Sequence, residues 1–257
     1  MAEKLLRDLS QQALNRELPG ESVHALVHRL GAMNVRKWED NFLGQTIKDE
    51  YDVVAASGDG VDGTWAIEAG DNHAKLSAST GAGSSGECNG AALPGLAFRG
   101  EYDAVTVMRL TLSAITSIKC EFGFTDAGFL TDNGAVDALA TPTYTASDAA
   151  VWCFDTSDTT YWQALAVQGD TGITKLEPEI APVALTYEYL GVALRGTYAK
   201  FLRWNDSGLL TYESAWQEDA ITAATPLTPW LFIELRGSVD RNIHVQKWMA
   251  WENFTSS

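Results

Sequence analysis

Ile118-Lys119-Cys120-Glu121-Phe122-Gly123-Phe124-Thr125 sets Ile118, Cys120, Phe122 and Phe124 against Lys119, Glu121, Gly123 and Thr125 in strict alternation. Successive side chains of a pleated chain point to opposite faces, so this stretch predicts a half-buried strand with its polar face in solvent. Just upstream, Thr106, Met108, Leu110 and Leu112 alternate with Val107, Arg109 and Thr111, and the break at Ser113-Ala114 predicts that the two strands are antiparallel neighbours. Further strands are expected over 151–154, 161–167, 187–194, 199–204, 230–235 and 243–251, separated by clusters of Gly, Asp, Asn, Ser and Pro. No helix of useful length fits between them. Many short strands joined by tight turns specify an all-β antiparallel β-sandwich or jelly roll.

The period changes upstream of Trp38. Leu5, Leu6, Leu9 and Ala13 form one helical stripe, and Val23, Leu26, Val27 and Leu30 form a second. Pro19-Gly20 separates the two, and Ser22 is placed to cap the second helix. Helices this short are unstable alone, so their apolar stripes must dock on something. The division expected is a short α-helical N-terminal arm over 1–37 and a sandwich over 38–257. Charge divides at the same place: residues 1–38 hold six Lys/Arg against four Asp/Glu, whereas the remainder holds twelve against thirty. An arm of opposite sign from its body suits a separate partner, although packing of the arm on its own sandwich is the alternative.

A length of 257 residues buries a substantial core, and 46% hydrophobic against 20% charged residues describes an ordered chain. The formal net charge of −16 disfavours a nucleic-acid surface, because phosphate binding needs clustered cations. The start Met1-Ala2-Glu3-Lys4-Leu5-Leu6-Arg7 lacks the apolar core of a signal peptide, and no stretch has the length of a membrane span. Cys88, Cys120 and Cys153 are odd in number and widely spaced, which predicts free buried thiols suited to folding in a reducing cytoplasm.

Several segments resemble concanavalin A-like/laminin-G-like domains. Trp38-Glu39-Asp40-Asn41-Phe42 is similar to their opening strand, and Gly63-Thr64-Trp65-Ala66-Ile67 to the strand that follows. The run from Tyr189 to Gly196, then from Ala199 to Gly208, resembles a hairpin of the family, and Ile243 to Trp251 resembles the closing strand that pairs beside the first. Domains of this look, preceded by a short arm, recur in structural proteins of tailed bacteriophages. The resemblance therefore implies a non-enzymatic virion protein, made in the bacterial cytoplasm, that decorates the capsid or forms a head fibre. Its expected partners are capsid or other virion proteins and sister copies in a dimer or trimer. The arm contacts would be Leu5, Leu6, Leu9, Val23, Leu26, Val27 and Leu30.

The same fold also serves lectins and glycosidases, so chemistry has to be sought residue by residue. Laminarinase-type members carry Glu-x-Asp-x-x-Glu on one strand, so that the acids share a face. Here Glu50-Tyr51-Asp52 is followed by Ala55 and Glu101-Tyr102-Asp103 by Thr106, which leaves both triplets incomplete; Pro178 between Glu177 and Glu179 points to an edge or loop. His24 and His28 have the i, i+4 spacing of metal ligands, but Ala25 stands where a zincin carries Glu. Asp59-Gly60-Val61-Asp62-Gly63 reads as a turn, with a calcium loop as the alternative and no other cofactor implied. Tyr187, Tyr189, Gly191 and Ala193 share one face of their strand, and Trp162, Ala164 and Ala166 repeat the theme on another. Aromatics beside small residues make a shelf that seats a host-surface glycan, as in a tail fibre or receptor-binding module, or a neighbouring subunit.

Overall fold

Alternating apolar residues leave each strand with one face to hide, and the computed structural model hides them between two stacked sheets. It describes residues 35–42, 52–54, 64–69, 74–80, 85–93, 98–127 and 134–253. Their strands are β1 (Val35–Asp40), β2 (Asp52–Val54), β3 (Thr64–Ala69), β4 (Ala74–Ser79), β5 (Cys88–Ala92), β6 (Val105–Leu112), β7 (Ile118–Thr125), β8 (Val136–Ala138) and β9 (Thr143–Tyr144). They continue as β10 (Ala149–Asp155), β11 (Trp162–Gln168), β12 (Thr171–Ile180), β13 (Glu188–Arg195), β14 (Tyr198–Asn205), β15 (Leu210–Glu213), β16 (Thr228–Leu235) and β17 (Asn242–Asn253). An eight-stranded sheet runs β15-β14-β13-β6-β17-β4-β3, with β1 also on β17; a seven-stranded sheet runs β12-β11-β10-β7-β16-β5-β2. Every pairing is antiparallel.

The core between the sheets takes Met108, Leu110, Leu112, Leu190, Val192 and Phe201 from one side and Ile118, Cys120, Phe122, Phe124, Trp152, Phe154 and Ile233 from the other. The expected hairpin of 106–112 with 118–125 is thereby corrected. β6 and β7 lie in different sheets. Ser113 to Ser117 is a corner that turns their two apolar faces toward one another, because both strands need the same core. The family-like features fare better. β13 pairs β14 as a hairpin from Glu188↔Asn205 to Arg195↔Tyr198, and β17 closes beside β1 from Asp40↔Trp248 to Val35↔Asn253.

The expected boundary between Lys37 and Trp38 falls inside β1, since Val35, Arg36 and Lys37 already pair with Asn253, Glu252 and Trp251. The arm contacts Leu5, Leu6, Leu9, Val23, Leu26, Val27 and Leu30 lie outside the described residues, as do His24, His28 and Asp59 to Asp62. The three cysteines are buried and form no disulfide.

The polar face of β7 departs from expectation. Lys119 and Glu121 are fully buried, because the segment around β8 and β9 covers the outer face of the seven-stranded sheet. Glu121 accepts from the backbone N–H groups of Ala135 (2.7 Å) and Val136 (3.1 Å) and from Trp230 Nε1 (3.1 Å). Lys119 Nζ lies 3.1 Å from Glu121 and 3.5 Å from Glu234, and donates to the Val136 carbonyl. Burial opposes the Lys119 charge, and the two carboxylates outweigh it and hold the amine protonated. Alternation reports which residues share a face; it carries no information about what a distant segment lays over that face.

Candidate functional site

The outer face of the eight-stranded sheet holds an aromatic shelf. Antiparallel pairing sets Tyr189 of β13 opposite both Trp204 of β14 and Arg109 of β6. Gly191 and Val107 form the next row, and the far edge of the Trp204 indole covers Gly191. Arg109 lies 4.5 Å from the centre of the Tyr187 ring and 5.8 Å from that of Tyr189, and its guanidinium pairs with the exposed Asp206 in the β14–β15 turn. Tyr187 and Trp204 are half-buried, so part of each ring meets solvent. Tyr189, 7% exposed, is itself buried with Val105, Val107, Ala193, Leu202, Met249 and Trp251 in a small second core on the same face, against which Trp204 packs.

A similar arrangement sits further along the same strands. Trp216 receives Arg195 at 4.5 Å and Lys200 at 5.5 Å, while Arg195 pairs with Asp103 at 3.6 Å and Lys200 with Glu213. Each cation is held between a ring and a carboxylate, Arg195 partly exposed and Lys200 buried. Burial pushes the Tyr187 and Tyr189 phenols up, with Arg109 opposing, so both stay neutral near pH 7. The face offers ring surfaces bordered by hydrogen-bonding groups of both signs. That combination fits a ligand with one apolar face and a polar rim.

The structure separates the three residues expected to form a shelf. Tyr187 and Tyr189 belong to it, whereas Trp162 is buried between the sheets, packed on Phe154 at 5.6 Å and donating to Glu188 at 3.0 Å. Ala164 and Ala166 are likewise in the main core. A central strand has two faces, and on β11 the aromatic one points inward. Arg109, Trp204 and Asp206 went unrecognised. A register count across the Gly196 turn would have set Trp204 opposite Tyr189, and Arg109 is the lone cation on the outward face of an apolar strand.

Among the acids considered for hydrolysis, Glu50 lies outside the described residues, and the others are dispersed. Glu101 sits in the 3-10 turn Gly100–Tyr102, paired with Arg99 at 3.1 Å; Glu177, paired with Lys175 at 3.1 Å, and Glu179 lie on the edge strand β12. Among the described residues, Glu121 and Glu234 project from neighbouring strands with Lys119 between them, beneath the β8–β9 cover. No group of three or more His, Cys, Asp or Glu residues suited to a metal ion occurs among the described residues.

The sequence matches no protein-family model and no curated protein. Solved structures do match. A protein of unknown function from Shewanella oneidensis MR-1 superposes with a TM-score of 0.61 at 12% identity, over 93% of this chain and 98% of that one. A prokaryotic β-1,3-1,4-glucanase (lichenase) from a mouse hindgut metagenome gives 0.54 at 16% identity, over 85% and 99%, and peanut lectin gives 0.58 at 10% identity, over 87% and 99%. The fold is the concanavalin A-like jelly roll. The expectation of a non-enzymatic protein is corrected by the same comparison, since several solved structures of this fold are glycosidases. The jelly roll accommodates sugar binding and sugar cleavage alike, and its presence alone selects neither.

Proposed function

We propose that this chain recognises carbohydrate through the Tyr187/Tyr189/Trp204/Arg109 shelf. The observation that carries the reading is the ring-and-cation arrangement on an outward sheet face, in a fold shared with a lectin and with glucanases. A pyranose presents a C–H face that packs on a ring and hydroxyls that reach Arg109 and Asp206. The test is a glycan array followed by calorimetry on the full chain, with Tyr189→Ala and Trp204→Ala as variants. Binding that both variants abolish supports the reading; an array without hits, or hits that survive both changes, overturns it. Release of reducing ends from the bound polysaccharide, measured in the same samples, reports whether recognition is coupled to hydrolysis.

The setting we infer is a bacteriophage particle, with the sandwich displayed and residues preceding β1 attaching it to the capsid or to another virion protein. This reading is supported by the resemblance of 38–257 to domains of tailed-phage proteins, and by the two apolar stripes and contrasting charge of the arm sequence. Immunogold imaging of intact particles is the direct test. A chain beginning at Val35 keeps β1 whole and removes the stripes. If it still binds particles, the arm is not the attachment.

A further inference from the structure

Trp204 and Trp216 rest on one small apolar core. Both rings pack against Val107, Ala193, Leu202 and Met249 on the outer face of the eight-stranded sheet, and part of each ring meets solvent. Strand register sets them along a common line. β13 runs from Tyr189, level with Trp204 and Arg109, through Gly191 and Ala193 to Arg195, whose guanidinium lies over the Trp216 ring. Six residues of extended chain cover about 20 Å, several times the width of a sugar ring. One monosaccharide cannot touch both ends of this line, and the floor between them is apolar.

The two ends are built alike, from a ring, a cation and a carboxylate. Arg109 lies over Tyr187 and pairs with Asp206, while at Trp216 Arg195 pairs with Asp103 and the buried Lys200 with Glu213. On the strands alongside, Lys247 faces Arg109 across the β6–β17 pairing and shares Glu39 with Lys37. These cations are therefore already matched by carboxylates, on a chain of net charge −16. A polyanionic glycan would have to displace the carboxylates against that field. A neutral sugar displaces nothing. A guanidinium paired through one or two N–H groups keeps others for hydroxyl oxygens, and a paired carboxylate keeps lone pairs for hydroxyl protons.

Resting on the carbohydrate reading above, we infer that the face binds an extended, neutral polysaccharide chain. It runs along β13, with one sugar stacked at Tyr187 and Trp204, another at Trp216, and the intervening units bridging the two. Trp216 thereby becomes a second binding residue, with Lys200 and Arg195 holding its ring.

The test is calorimetry of the full chain against size ladders, from monosaccharide to octasaccharide, of the glycans that the array retains. Neutral β-1,3-1,4-glucan and acidic polygalacturonate are included as fixed probes. Affinity for a neutral ladder is expected to rise until the chain spans both rings, and to be insensitive to added salt because no ion pair forms. Trp216→Ala lowers affinity for the long members about fivefold and leaves the short ones, held at Trp204, unchanged. Trp216→Phe, which keeps a ring, retains most of the long-chain affinity, and melting temperatures report that both variants fold. Affinity already complete with a mono- or disaccharide overturns the inference and leaves the Tyr187/Trp204 shelf standing. Long-chain binding indifferent to Trp216→Ala, or a preference for acidic ladders, does the same. An array without hits removes the carbohydrate reading itself, and this inference with it.

Discussion

The far edge of the Trp204 indole lies over Gly191, so close that a Cβ at position 191 would stand 2.8 Å from Cζ3 and 3.0 Å from Cη2 of the ring. The absence of a side chain on one strand is what lets a large ring on the next lie across the sheet. Gly191→Ala therefore displaces Trp204 without disturbing the strand pairing. Stacked rings contribute about 1 kcal/mol, so the variant is expected to bind its glycan about fivefold more weakly by calorimetry, with a melting temperature within a few degrees of wild type. An unchanged affinity would remove Trp204 from the shelf.

Trp162 provides the opposite case. Its ring is wholly buried and its Nε1 is satisfied by Glu188. Trp162→Ala leaves a cavity and an uncompensated acceptor, at a cost of about 3–5 kcal/mol. Denaturant titration should show the whole loss as a lowered midpoint, and affinity per folded molecule should not change.

Glu121 fastens the cover of the seven-stranded sheet through two backbone N–H groups, Trp230 and Lys119. Glu121→Ala leaves the buried Lys119 ammonium to Glu234 and the Val136 carbonyl and frees those donors, which predicts about 3 kcal/mol of destabilisation. Hydrogen exchange at Ala135 and Val136 should accelerate more than exchange in the central strands. Uniform acceleration would mean that the cover and the sheet open as one unit.

Glu39 on β1 titrates at about 2 instead of 4.5: partial burial pushes it up, and the hydrogen bonds and charges of Lys247 and Lys37 outweigh that effect. Its folded value is depressed, so the stabilisation is fully present above the unfolded value of 4.5 and is lost as pH falls toward about 2. Glu39→Gln should therefore lower the melting temperature at pH 7 and converge with wild type in strong acid. The effect is modest because the pair is partly solvated. A difference that persisted at pH 2 would have to come from packing.

Local pattern disclosed many of the strands and, in β7, the inward face, because a period of two and the turn residues between runs are written in adjacent positions. Ile118, Cys120, Phe122 and Phe124 point to the core as their alternation implies. Sheet membership was not legible. The step from Leu112 to Ile118 reads the same whether it turns back within one sheet or crosses to the other, and only the burial of both faces against each other decides it. Lys119 and Glu121 appeared solvent-facing for a related reason, since their partners at Ala135, Val136, Trp230 and Glu234 lie 14 to 115 positions away in the sequence. Half of the shelf was visible because Tyr187 and Tyr189 share a strand face, whereas Arg109 and Trp204 join it only through pairing across three strands.

Val35 facing Asn253 means that the first and last strands seal one another. The described fold begins and finishes at a single spot on its surface, with its margins already joined there. Such a module can be spliced into an exposed turn of an unrelated host as a self-contained cassette, or have its ends linked and be reopened in another loop, without unpicking either sheet.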